Sequence, residues 1–228
     1  LKPGYLFPSH DFFKGDNHAQ RKMNSTRSGH LKYGFKFAPD SYLGSVYPYA
    51  IQGVGVGYNT FFNSSELGNP LAVYIFQSSR IAKITQNLSF DYEWNFGISA
   101  GWNPYDYFDN PNNVIIGSKL NAYINAGISL NWRAGKRWMI TGGGDFTHFS
   151  NGNTDFPNAG LNLTGVKLGM IYDFKGKDKE EGRREFADLT VPKYPGHLSY
   201  DLVLFGSWRR KGVDFFGDLV ASPYQYPV

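Results

Sequence analysis

His148 and Ser150 carry the side chains of a general base and a hydroxyl nucleophile, and one residue separates them. Around them, from Trp138 to Ser150, the even positions read Trp138, Ile140, Gly142, Gly144, Phe146, His148 and Ser150. The odd positions read Met139, Thr141, Gly143, Asp145, Thr147 and Phe149. In a strand, His148 and Ser150 leave the same face with their Cβ atoms about 7 Å apart, and a leaning imidazole can reach the hydroxyl. The next segment puts Asn162 on the parity of Val166, Leu168 and Met170. A hairpin between the two segments brings Asn162 beside His148. Ser, His and an amide that orients the His make a triad suited to acyl transfer through a covalent intermediate. The competing reading is that these polar residues only cap strand ends at a membrane interface.

The elements that must hold these residues are long alternating strands. From Leu88 to Asn103 the even positions are Leu88, Phe90, Tyr92, Trp94, Phe96, Ile98, Ala100 and Trp102, and every odd position is polar or Gly. Lys119–Arg133 repeats the pattern. Soluble strands usually run about 5–6 residues, whereas a tilted membrane strand needs at least about 9–11. An antiparallel transmembrane β-barrel with a polar interior explains both length and pattern. All five Trp (94, 102, 132, 138 and 208) fall on the apolar parity, as an interfacial aromatic girdle would place them. The expected strands are Leu31–Phe37, Ile51–Phe62, Leu71–Ile81, Leu88–Asn103, Lys119–Arg133, Trp138–Ser150, Asn162–Phe174 and Leu198–Arg210. In the third the alternation is blurred, and Tyr5–Phe13, which contains Pro8, is a further candidate. Gly53, Gly55 and Gly57 alternate with Val54 and Val56 and precede no helix, so they do not read as a phosphate loop.

Composition narrows the function classes. The 228 residues suffice for one barrel domain, 1–228. No run of about 18 apolar residues offers a helical span. The mean hydropathy of −0.40 still fits a barrel, in which only alternate residues meet lipid. The chain has no Cys, which removes disulfides, thiolate metal sites and Cys nucleophiles. A net charge of +4 is too mild to argue for nucleic acid and suits an anionic membrane surface. His10, His18, His30 and His197 fall in loops or at strand starts without ligand-like spacing, so no metal or other cofactor is expected. The tight Ala134-Gly135-Lys136 turn sets the periplasmic side, and Asn63–Pro70, Pro104–Ser118 and Asn151–Leu161 then face outward. Residues 175–195 form a long charged loop on the periplasmic side.

His148-Phe149-Ser150-Asn151, followed by Phe156-Pro157-Asn158-Ala159-Gly160-Leu161-Asn162, resembles the signature of the PagL-type lipid A 3-O-deacylases. It also resembles the related Bacteroidota barrels termed acyloxyacyl hydrolases. Likeness to the latter extends to Glu93-Trp94-Asn95-Phe96-Gly97, Gly117-Ser118-Lys119 and Ser207–Gly217. The resemblance implies a barrel of the bacterial outer membrane that acts on lipid A or lipopolysaccharide. It implies His148 as base and Ser150 as nucleophile. Asn151 is implied in the oxyanion pocket with nearby backbone N–H groups, among which Gly152 is a donor candidate. The family's third member is a Glu, and without a gap it falls on Asn162. An amide can hold one imidazole tautomer but supplies no charge to the imidazolium, so a weaker or altered enzyme is implied. Asp155 is the nearest acid in the loop, although Asn-Thr-Asp-Phe-Pro also reads as a turn.

Two functions of different class follow. One is an outer-membrane serine esterase removing an acyl chain from lipid A or a related glycolipid. The other is a non-catalytic barrel serving as scaffold or accessory subunit of an outer-membrane protein complex, favoured by the missing acid and the charged segment 175–195. A passive pore fits poorly, since about eight strands leave an interior filled by side chains. Counting strands from a periplasmic Ala134–Lys136 turn gives about nine, with Val213–Val228 left outside. The barrel is therefore expected not to close by itself, and the natural chain to continue past Val228 with a returning strand.

Overall fold

The computed structural model describes residues 1–38, 40–176, 200, 202–204, 206–215 and 218–227. Most of the charged segment 175–195, together with His197, lies outside them. The long alternating segments form the strands that their periodicity demands. In chain order these are β1 (Lys2–Leu6), β2 (Ser25–Lys36), β3 (Ile51–Thr60), β4 (Gly68–Lys83), β5 (Leu88–Trp102), β6 (Leu120–Arg133), β7 (Trp138–Ser150) and β8 (Leu161–Tyr172). Among the described residues two short helices interrupt the connections, α1 (Asp11–Lys14) and α2 (Tyr42–Val46). Each strand pairs antiparallel with its neighbour in sequence, and β1 pairs with β8, so the eight close into a barrel. Among the described residues no helix is long and apolar enough to cross a membrane, which says nothing about crossing by strands.

Closure within the chain corrects the expected open edge. Gly4, Tyr5 and Leu6 register with Gly165, Thr164 and Leu163, while Lys2 to Tyr5 register with Ser28 to Ser25. The closing strand shows no period of its own, because it is five residues long, contains Pro3 and ends where the candidate Tyr5–Phe13 begins. Beyond it the chain turns through Pro8 into α1. The described residues of the expected strand Leu198–Arg210 contribute no strand to the barrel. Its last residues open β9 (Trp208–Phe215), which pairs with β10 (Asp218–Pro227) in a separate two-stranded sheet. Connections 7–24, 61–67, 103–119 and 151–160 gather at one end of the barrel, the loop end. Connections 37–50, 84–87 and 134–137 lie at the other end, with the entry to β1 and the exit from β8.

The pleat divides apolar wall from polar lumen. Ile98, Leu120, Val166, Leu168 and Met170 stand exposed on the outside. Asn95, Ser99, Asn121, Asn125 and Thr147 are buried inside. Across the lumen Lys2 Nζ meets Asp145 Oδ1 at 2.6 Å and Lys32 Nζ meets Glu93 Oε1 at 2.5 Å, while Lys167 reaches the same Glu93 oxygen at 3.5 Å. Burying such charges costs several kcal/mol each unless partners answer them, and here each cation has a carboxylate. The blurred alternation of β4 has a physical cause. Leu71, Val73 and Ile75 face outward, while Ala72, Tyr74 and Phe76 are buried in the lumen. Gly53 and Gly55 make room for them, since a Cβ at Gly55 would collide with the Tyr74 ring and one at Gly53 would stand 2.9 Å from Phe76. His30, expected in a loop or at a strand start, lies within β2, points inward and bonds Tyr74 and Ser28 at 3.0 Å each.

Trp102 is a second correction. Trp94, Trp132 and Trp138 are exposed on the outer wall, but Trp102 is only 5% exposed. Gly101 adopts φ +95°, a conformation that favours glycine. The β4–β5 register shifts between Gly68 and Leu71 at the same point. The irregularity turns the next side chain inward, where Trp102 stacks on Phe61 at 5.6 Å, meets Phe149 at 5.1 Å and donates to Ser99 Oγ at 2.9 Å. These rings, with Tyr123 and Tyr74, fill the loop half of the lumen. Trp102→Ala is therefore expected to cost about 3–5 kcal/mol, the usual range for a vacated core site. Trp138→Ala on the outer wall should cost far less. Equilibrium unfolding by urea in lipid vesicles checks the contrast, and equal losses would contradict the inward placement.

Candidate active site

β7 runs toward the loop end and delivers His148 and Ser150 to its last turn of pleat. The inward neighbours Thr147 and Phe149 are 1% and 0% exposed, and Asp145 and Lys167 also point into the lumen. His148 and Ser150 consequently stand on the outer wall, in the row of the exposed Phe146 and Ile140. On β8 Asn162 takes the same outward parity as Val166 and Leu168. Register does the rest, since His148 lies directly opposite Asn162, and Ser150 lies opposite Ala122 of β6.

His148 Nδ1 and Asn162 Oδ1 are 2.7 Å apart. An amide oxygen only accepts, so Nδ1 must carry the proton and a neutral imidazole keeps its lone pair on Nε2. That is the tautomer a general base needs. Among the described residues, no hydrogen bond engages Nε2 of His148 or Oγ of Ser150. The two groups are not bonded to each other here, and catalytic contacts of this kind commonly tighten only with substrate present. Space for the ring depends on Gly160. Its φ is +71°, and a Cβ there would stand 3.1 Å from His148 Cε1.

The loop 151–160 is wired by its own amides. Asn151 Oδ1 accepts from the Asn153 N–H at 2.9 Å, and its Nδ2 donates to the Asp155 carbonyl at 3.1 Å. The Asn151 N–H donates to Asn158 Oδ1 at 3.1 Å, and Thr154 closes the turn on the Asn151 carbonyl. Asn151, carried over from the family motif as an oxyanion residue, thus has its backbone N–H and one of its two side-chain N–H donors engaged within the loop. Gly152, at φ +65°, has open space where a Cβ would be, and among the described residues its N–H has no partner. Asp155 does not stand in for the missing acid. Its carboxylate accepts the Phe156 N–H at 2.9 Å and Arg210 Nη1 of β9 at 3.1 Å. The backbone N–H of Arg210 also donates to the Asn153 carbonyl at 2.8 Å, which sets β9 against this loop.

Sequence reasoning brought His148, Ser150 and Asn162 to one face. It missed Asn158, Gly160 and Arg210 as supports. Asn158 and Gly160 stood inside a recognisable motif without a stated role, and nothing in the sequence links Arg210 to residue 155. No group of three or more potential metal-ligating side chains occurs among the described residues.

No curated protein and no solved structure matches the chain. The family model of the lipid A 3-O-deacylases (PagL) matches residues 81–171, less than half of the chain. The matched stretch runs from the end of β4 through β8 and includes His148, Ser150, Asn151, Gly152 and Asn162. By this match the barrel's second half, which carries the whole candidate site, is similar to the PagL family.

Proposed function

We propose that this chain is a serine esterase of the bacterial outer membrane that removes an ester-linked acyl chain from lipid A or a related glycolipid. The 2.7 Å contact between His148 Nδ1 and Asn162 Oδ1, on the lipid-facing wall beside Ser150, carries the reading. His148 Nε2 takes the Ser150 proton as Oγ attacks the ester carbonyl. The carbonyl π electrons move to oxygen, where the Gly152 N–H can donate to the developing charge. Collapse breaks the bond to the sugar oxygen, which leaves with the proton from Nε2. Water, deprotonated by His148, then attacks the acyl-enzyme and frees the fatty acid while Ser150 regains its proton. A site on the outer wall near the loop end suits a substrate that never leaves the outer leaflet.

Such a serine reacts with fluorophosphonate probes, so one covalent adduct on the peptide containing Ser150 is expected, absent from Ser150→Ala. An unlabelled Ser150 in the folded barrel would count against an activated nucleophile. One observation favours the second reading, a non-catalytic scaffold. Asn162 stands where an acid would serve, and the imidazolium formed in each step has no charged partner among the described residues.

A further inference from the structure

The loop that carries the Gly152 N–H is held from outside the barrel. Arg210 belongs to β9, in the separate sheet that β9 forms with β10, and lies beyond the matched stretch 81–171. Its backbone N–H donates to the Asn153 carbonyl at 2.8 Å, and its Nη1 meets Asp155 Oδ1 at 3.1 Å. One residue of the hairpin thus pins the loop on both sides of Thr154. The acyl-transfer steps give Arg210 no part.

The local backbone explains why the loop needs a hold. Gly152 and Asn153 adopt φ +65° and +62°, two left-handed residues in succession. Asn tolerates that region better than most residues, but without glycine it is sparsely populated. One side of the turn is tied within the loop. The Asn153 N–H donates to Asn151 Oδ1 at 2.9 Å, and Thr154 Oγ1 donates to the Asn151 carbonyl at 2.8 Å. Arg210 ties the other side, through the Asn153 carbonyl and the Asp155 carboxylate. The Gly152 amide sits between the two sets of bonds, which fix its direction while its N–H has no partner among the described residues. A donor held in this way stabilises a developing oxyanion without having to reorient as the charge forms.

We infer that Arg210 is a positioning residue of the esterase, acting from the β9–β10 hairpin to keep the Gly152 N–H set for the oxyanion. This role rests on the esterase reading and adds to the site an element that the matched stretch lacks. The side chains of Arg210 and Asp155 are 32% and 36% exposed, so their ion pair is open to salt and adds little to the stability of the barrel. Its loss should therefore show in the rate and not in unfolding.

The test uses the full chain in detergent micelles with two substrates, the glycolipid and a short-chain nitrophenyl ester that lacks the sugar. Arg210→Ala should lower kcat about fivefold on both, as much as an ion pair this exposed can hold, with KM unchanged. Arg210→Lys should keep most of the rate, because an ammonium can still meet Asp155. Asp155→Asn leaves an oxygen for the Phe156 N–H but removes the charge, and should lose as much as Arg210→Ala. The double variant should be no slower than either, since both break the same contact. On the nitrophenyl ester, added salt should slow the unsubstituted chain toward the Arg210→Ala rate and leave that variant unchanged. A loss confined to the glycolipid, a raised KM or additive losses would overturn the positioning role. The hold itself is read separately. The chain has no Cys, so Asp155→Cys with Arg210→Cys supplies one thiol pair, which a short bis-maleimide should join within the chain. An active enzyme whose thiols fail to join would also overturn the role. An unsubstituted chain that cleaves neither ester would overturn the esterase reading, and the role with it, even where the thiols join.

Discussion

Ser150→Ala is expected to abolish acyl release from the glycolipid, lowering kcat by at least about 10³-fold while the barrel still forms. Removal of the nucleophile of a serine enzyme costs up to about 10⁶-fold, with a residue of activity left to the oxyanion donors and to substrate binding. The fold should tolerate the change, because Ser150 Oγ has no hydrogen bond among the described residues and the side chain stands on the outer wall. Loss of one hydroxyl therefore removes chemistry and not packing. Released fatty acid, measured by mass spectrometry against a folded control, checks the result. Full activity in Ser150→Ala would exclude the covalent route.

Asn162→Glu should raise kcat by about 10- to 100-fold, whereas Asn162→Ala should lower it by about tenfold. The two expectations separate what Asn162 does from what it lacks. Its Oδ1 already fixes the Nδ1–H tautomer of His148, so Ala loses orientation. A carboxylate at the same place keeps that hydrogen bond and adds a negative charge beside the imidazolium. The register His148 opposite Asn162 gives Glu a short reach, although its side chain is one methylene longer. Initial rates on a defined glycolipid check both. If Ala has no effect and Glu lowers the rate, Asn162 is not the third member of the constellation.

Much of this arrangement was legible in the residues. Alternation in Leu88–Asn103 and Trp138–Ser150 gave strand, face and outward parity, because a pleat puts every second side chain on one side whatever the tertiary context. Parity alone therefore placed His148, Ser150 and Asn162 together. What escaped depended on breaks in the period. Gly101 turns Trp102 inward by a local irregularity that no alternation encodes. β1 was too short to show a period, and it is the strand that closes the barrel. In β4 both faces are apolar, because Tyr74 and Phe76 fill the lumen opposite glycines on β3. The loop 151–160 was the least legible part of the site. Its geometry rests on side-chain amides and on Gly152, Asn153 and Gly160 at positive φ, so the engagement of Asn151 could not be read from the motif.

The most direct test of the account is a mass spectrum of lipid A from cells expressing the intact chain, set beside one from cells expressing Ser150→Ala at equal barrel content. The account predicts loss of a single acyl chain with the wild-type chain and an unmodified spectrum with the variant. Identical, fully acylated spectra from both would contradict it and leave the barrel as a scaffold.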